Sequence, residues 1–384
     1  MWLGLLAWLA GFHLCLGKES ETCAAYERNT PHKLTKEDIL PRGSEHGDDV
    51  DVDKREGQTF EGPVLGYVTP WNGKGYEVAL KYRKKLTHVA PVWFQITPGS
   101  PPTLQGRHDV DRGWMESLRQ DRTHVPKIMP RFLFEGWSGE QFVDLLRSAA
   151  AKGHLSQSIG DILVQECKQQ ELDGIVLEVW TQWWAWGLTR HPAARRAIVS
   201  FIAQLYEVLG KEGKLLALAV PPAVPALAQY PAFSAEDFHA LKAHADFFSI
   251  MTYDASNSQQ PGPNAPLGWV KSCVEELEVE PAHAEKVLVG LNFYGNDYGP
   301  ANVGRPILGH EFLSLLEEHP SSQLEWDENA SEHVFTYRVG NVAHQVFYPT
   351  SQSLQQRVEL ARSQGTGLAI WELGQGLESF MDLL

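Results

Sequence analysis

The stretch Leu172-Asp173-Gly174-Ile175-Val176-Leu177-Glu178-Val179-Trp180 places a carboxylate and an indole at the end of an apolar run. It reads as a buried strand emerging into a cleft. A strand repeats every two residues, so Val176, Glu178 and Trp180 are expected on one face. A cleft carboxylate can give, take or share a proton, whereas an indole offers a flat apolar face and one N–H donor. Seven other segments end in similar chemistry. They supply Tyr67 and Trp71, then Trp93, then Glu135 with Trp137, then Pro221-Pro222, then Tyr253-Asp254, then Asn292 with Tyr294, and last Trp371-Glu372. Trp269, in the stretch after Tyr253-Asp254, is a further candidate. Aromatics, carboxylates and amides around one opening suit a sugar, whose C–H faces stack on rings while its hydroxyls need donors and acceptors. No His joins the group, so no metal centre is expected, and no Ser nucleophile elbow is found.

The segments that carry these ends are short and β-rich: 64–71, 88–96, 127–134, 172–180, 214–222, 247–254, 286–295 and 366–373. They lack alternation of apolar and polar residues, as expected of strands buried on both faces. Helical stretches are expected at 76–86, 112–122, 156–171, 193–212, 234–243, 267–280 and 351–364. Eight such units argue for an α/β (β/α)8 TIM barrel, in which functional residues sit at the C-terminal strand ends. A doubly wound sheet is the alternative, but Gly66-Tyr67-Val68-Thr69-Pro70 is not a glycine-rich phosphate turn. The seventh connection, 296–349, is the longest. With an expected helix at 310–319 and strands at 323–326, 333–339 and 343–348, it reads as a small α+β insertion.

Residues 1–17 resemble a secretory signal, with an apolar run from Trp2 to Ala10 too short to span a bilayer. Residues 18–62 are polar and acidic and read as a flexible arm ahead of a barrel domain at 63–384. A calcium loop at 47–54 is a weaker alternative, because its Gly and terminal Glu are out of register. No later run is long and apolar enough for a membrane helix. The formal net charge of −15 argues against a nucleic-acid grip. Most of the 13 Trp are expected to pack in the core. Of the 4 Cys, Cys15 lies in the signal. Cys23, Cys167 and Cys273 leave open one disulfide with a free thiol, an intermolecular bond through Cys23, or buried thiols on helices. Asn329-Ala330-Ser331 is a glycosylation sequon. No cofactor is expected.

Asp173-Gly174, Met251-Thr252-Tyr253-Asp254, Gly290-Leu291-Asn292-Phe293-Tyr294-Gly295 and Trp371 together resemble glycoside hydrolase family 18, the chitinases, over roughly residues 63–384. The blocks 66–71, 260–267 and 370–376 are similar, more narrowly, to its stabilin-interacting chitinase-like branch. The family's fourth-strand motif is Asp-Gly-x-Asp-x-Asp-x-Glu and ends in the proton donor. Position by position, its last three acids fall on Val176, Glu178 and Trp180. The family cleaves with help from the sugar's own acetamide while the Glu protonates the leaving oxygen. An indole cannot do that, and losing an acid–base group costs on the order of 10²–10⁴ in rate.

The resemblance therefore implies a catalytically silent lectin for chito-oligosaccharides or related microbial glycans, lipopolysaccharide among them. It also implies a role in innate immunity, a secreted and lysosomal location, and a stabilin-type scavenger receptor as partner. Trp371 matches the floor under the central sugar, or else caps the barrel core. Tyr253 and Asp254 match the residues that hold the acetamide, or else brace Glu178. Asn292 replaces a usual Pro, and binds a hydroxyl or caps its loop. Tyr67, Trp71 and Trp93 line the cleft or simply pack; Glu135 and Trp269 touch ligand or lie in solvated loops. Glu178 meets ligand, or is held by Tyr253 or a backbone donor. It lies roughly 6.6 Å deeper than the lost acid, so a weak hydrolase using Glu178, Glu135 or Asp254 is the rival reading. A protein-interaction scaffold without a sugar site is the third.

Overall fold

The computed structural model describes residues 35–40, 59–120, 124–223, 231–258, 260–300 and 304–384. The expected signal, Cys23 and most of the acidic arm lie outside these residues.

The barrel strands are Val64–Val68, then His88–Pro91 continued by Phe94–Thr97, then Lys127–Ile128 continued by Arg131–Phe134. Next come Gly174–Glu178, Leu215–Val220, Phe247–Ile250, Val287–Asn292 and Gly367–Trp371. They are called first to eighth here. All neighbouring pairs run parallel. The second and third strands are each interrupted, near Pro91 and Pro130, since proline has no N–H for a ladder. Their early halves pair with each other (His88 with Lys127), and so do their late halves (Phe94 with Phe132), which closes the ring. The expected α/β barrel is what the chain forms.

Inward positions carry Leu65, Tyr67, Ala90, Val92, Met129, Val176, Ala217, Ala219, Leu288 and Ala369, a small inner core. Outward positions such as Phe132, Phe134, Ile175 and Leu177 pack with the helices in the larger outer core. Alanines on the inner wall leave room for the large side chains at the mouth. Gly290 has a similar purpose: a Cβ there would lie 2.3 Å from the Ile250 carbonyl oxygen and 3.0 Å from the Tyr253 ring.

The insertion falls where expected, between the seventh and eighth strands. Gly295–Tyr298, Gly304–Ile307, Gln323–Asp327, Glu332–Val339 and Val342–Phe347 form an antiparallel sheet beside the helix Gly309–Glu318. Its first two strands were not foreseen. Nor was the helix Gly139–Ala150, which opens with a Ser138/Gln141 capping box.

Two pieces of the expected flexible arm are docked instead. Phe60 is buried ahead of the first strand, and Lys36–Ile39 forms a short helix whose Lys36 Nζ donates to the His319 carbonyl (2.8 Å). Ile39 and Leu40 add apolar contacts to the core, which overcomes the local polarity. Cys167 is a free buried thiol pushed up to about 12 by burial, and Cys273 is buried as well.

Candidate functional site

The C-terminal mouth is built first from its floor. Tyr67 is buried, and its hydroxyl donates across the barrel to Ser249 Oγ (3.0 Å). Burial holds that phenol well above its ordinary pKa. The Trp371 ring packs on Tyr67 at 5.2 Å between centroids. Arg131, an inward position of the third strand, brings its guanidinium carbon to 5.9 Å from the Trp371 ring centre. Its Nη1 donates to Glu178 Oε2 at 2.9 Å. These two side chains retain only 12% and 23% of their exposure, so little water screens the pair.

The opposite wall comes from the sixth and seventh strand ends. Asp254 sits in the left-handed region at φ 61°, and its backbone N–H donates to Asn264 Oδ1 (2.6 Å). The Tyr294 hydroxyl donates to Asp254 Oδ1. Desolvation raises the Asp254 carboxyl above the usual carboxylate range, and the Tyr294 donor opposes it. The Tyr253 ring meets Tyr294 edge-on at 6.2 Å. Both phenols are raised well above their ordinary value, chiefly by burial. Asn292 Nδ2 donates to the Tyr294 carbonyl (2.8 Å) and is buried, so it caps its loop.

Several expected cleft residues lie elsewhere. Trp180 is the clearest correction. The fourth strand stops at Glu178, and Val179 leaves the extended region (φ −147°, ψ −17°). Trp180 then opens the helix Trp180–Ala185, so two-residue alternation no longer governs its direction. Its indole is 3% exposed, donates to the Ala232 carbonyl (2.8 Å), and packs on Trp183 and Phe233. Trp93 is likewise core, its Nε1 donating to the Tyr76 hydroxyl (2.8 Å). Glu372 is fully buried: it accepts from Asn72 Nδ2 (2.6 Å) and from the Gly374 N–H (3.0 Å), bracing the loop that carries Trp71. Trp71 itself is 70% exposed at the rim. Glu135 is exposed, and Trp269 is half-buried against the outer core. Glu178 is held by Arg131 and, among the described residues, not by Tyr253 or a backbone donor. Asn329 is exposed in a turn of the insertion.

The sequence reading missed Arg131, Ser249 and Asn264. A lone Arg two residues after inward-facing Met129, within an apolar strand, is the signal that could have found the first. Among the described residues, no three His, Cys, Asp or Glu side chains gather as a metal would require. No described helix is long and apolar enough to cross a membrane.

A closed parallel barrel, with an α+β insertion before its last strand and an aromatic and acidic mouth, defines a chitinase-like barrel of the glycoside hydrolase class. The model of glycosyl hydrolases family 18 matches residues 63–376, and the chain belongs to that family. It is 27% identical over 192 residues to the cortical fragment-lytic enzyme of Bacillus subtilis (strain 168), covering 48% of this chain and 44% of that protein. The corresponding Bacillus anthracis enzyme is 30% identical over 152 residues, covering 37% of this chain and 34% of that one. The matches thus span less than half the length of these relatives. Among solved structures, a chitinase from Chromobacterium violaceum ATCC 12472 superposes with a TM-score of 0.67 at 22% identity, covering 84% of this chain and 97% of that one. The spore cortex-lytic enzyme SleL of Bacillus megaterium QM B1551 gives 0.68 at 19%, covering 83% and 72%. A Cycas revoluta family 18 chitinase mutant, solved in complex with (GlcNAc)4, gives 0.63 at 14%, covering 83% and 97%.

Proposed function

We propose that this chain binds chito-oligosaccharides or related microbial glycans, lipopolysaccharide among them, at the barrel mouth without hydrolysing them. One observation carries the reading: Glu178, the fourth strand's mouth-facing carboxylate, is spent in a 2.9 Å pair with Arg131. A general acid must arrive carrying a proton and reach the leaving oxygen. Glu178 would have to give up its charge-assisted partner to do so. The residue aligned with the family's acid, Trp180, is buried away from the mouth. What remains is binding chemistry: a floor indole, Trp371, with tyrosines and Asp254 around it.

The proposal extends to the finer points. Secretion rests on the apolar run from Trp2 to Ala10. The lysosomal location, the part in innate immunity and the stabilin-type scavenger receptor as partner rest on the narrower resemblance to the stabilin-interacting chitinase-like branch. Glycosylation at Asn329 rests on the sequon and its exposure.

The hydrolase reading has one observation in its favour: the raised Asp254 carboxyl holds a proton more readily than an ordinary one. Two measurements decide. Tryptophan fluorescence and calorimetry should show saturable binding of a GlcNAc oligosaccharide, weakened roughly tenfold in Trp371→Ala, about 1.4 kcal/mol. A chromogenic chito-oligosaccharide glycoside should give no release. Turnover that vanishes in Glu178→Gln or Asp254→Asn would overturn the silent reading.

A further inference from the structure

We propose that Asp254 makes this cleft select an amino sugar bearing a free, protonated amine over its N-acetylated counterpart; the proposal rests on the glycan-binding reading above. The two mouth carboxylates differ in their partners. Glu178 is neutralised by Arg131 at 2.9 Å. Asp254 receives only a neutral phenol on Oδ1 and, among the described residues, no Lys or Arg side chain pairs with it. Its Oδ2 accepts no hydrogen bond there. The carboxylate is also fixed rather than swinging free. Its residue is anchored through the backbone N–H to Asn264 at 2.6 Å, and Tyr294 holds the other oxygen.

An acetamide would offer this oxygen one neutral N–H. An ammonium offers three donors and the missing charge, and such charge-assisted bonds are about twice as strong as neutral ones. The field of Asp254 reaches Tyr253, Tyr294 and Tyr298, and that of Glu178 also reaches Tyr253, so the two carboxylates face one cleft from its two walls. The net charge of −15 attracts a polycationic glycan at long range. The ligand class is thus a β-linked glucosamine oligomer, wholly or partly deacetylated.

The test is calorimetry of the full chain with a glucosamine tetramer and with its fully N-acetylated form, at a pH where the raised Asp254 carboxyl is ionised and the sugar amine still protonated, and at two salt concentrations. The expected result is about tenfold tighter binding of the free-amine tetramer, the advantage shrinking as salt screens it. Equal binding, or tighter binding of the acetylated tetramer, overturns the amine preference and leaves the glycan-binding reading standing. Binding of neither sinks both. Asp254→Asn should bring the ratio of the two affinities close to one, whereas Tyr294→Phe, which keeps the charge, should preserve it. A preference that survives in Asp254→Asn assigns the charge elsewhere and refutes the role given to this residue.

Discussion

Arg131→Met is the sharpest probe of the mouth. It deletes the guanidinium and keeps an unbranched stem, so apolar packing beside Trp371 is largely retained. Glu178 is then a shielded carboxylate without its ion-pair partner. Removing one member of a fully buried pair costs about 3–5 kcal/mol. Here the partners keep 12% and 23% exposure, so water screens part of that charge. We expect a loss of about 2 kcal/mol, a fall of roughly 2–3 °C in Tm for a chain of this size. Arg131→Met/Glu178→Met removes both charges and should come back to within about 1 kcal/mol of the parent. Urea denaturation of the four proteins closes a double-mutant cycle whose coupling isolates the pair. Equal losses in the single and double variants, with no coupling, would show that the guanidinium does not act through its pair with Glu178. The silent reading of the site would then lose its main support. Chromogenic turnover appearing in Arg131→Met would go further and show that an unpaired Glu178 reaches the glycosidic oxygen.

Two other perturbations test the geometry. Trp180→Glu restores the family's acid in sequence but should restore no hydrolysis: the side chain enters the outer core, where an unpaired charge costs several kcal/mol, so soluble yield and Tm should drop sharply. His88 sits at the far end of the barrel, against Phe247 and Thr87, with its pKa lowered by burial from 6.5 to about 4. The unfolded chain takes up this proton first as pH falls. Its contribution is therefore full above pH 6.5 and lost progressively down to about pH 4, an upper bound of roughly 3 kcal/mol at 1.36 kcal/mol per unit. His88→Phe should flatten that part of the pH–stability curve; an unchanged slope refutes the assignment.

The eight strands were legible because both faces of each are covered, which leaves unbroken apolar runs. Their ends were not. At the mouth the chain turns from a periodic ladder into loops, and which way a side chain then points depends on backbone angles that composition does not encode. Trp180 shows this directly. The run Trp180-Thr181-Gln182-Trp183-Trp184-Ala185 is poor in strong helix formers, yet it is helical, because packing of Trp180 and Trp183 into the outer core decides. Glu178, the last residue of the strand, pairs with Arg131 at the mouth. Its partner was missed because the third strand was read only at its far end, Glu135, and not at Arg131. The docked Phe60, Ile39 and Leu40 were invisible for a related reason: isolated apolar residues in an acidic stretch carry no periodicity.

The wall that carries Asp254 is braced independently of the fourth strand. Glu332 of the insertion accepts the backbone N–H groups of Asn264 (3.1 Å) and Ala265 (2.8 Å). Arg357 of the helix Ser351–Gln364 donates to Glu332 at 3.2 Å and to the Ala265 and Ala330 carbonyls at 2.6 and 3.0 Å. Both charges are almost fully buried, at 5% and 3% exposure. Asn264 in turn fixes Asp254. None of these contacts touches Glu178, Arg131 or Trp180, so substitutions on the fourth strand should add to, rather than couple with, changes here. Glu332→Gln strands the Arg357 charge and should cost about 3 kcal/mol or more. It should also loosen Asp254 and weaken glycan affinity, while the coupling between Arg131 and Glu178 stays unchanged. Strong coupling of Glu332→Gln to Arg131→Met in a second cycle would mean that the two walls move as one body.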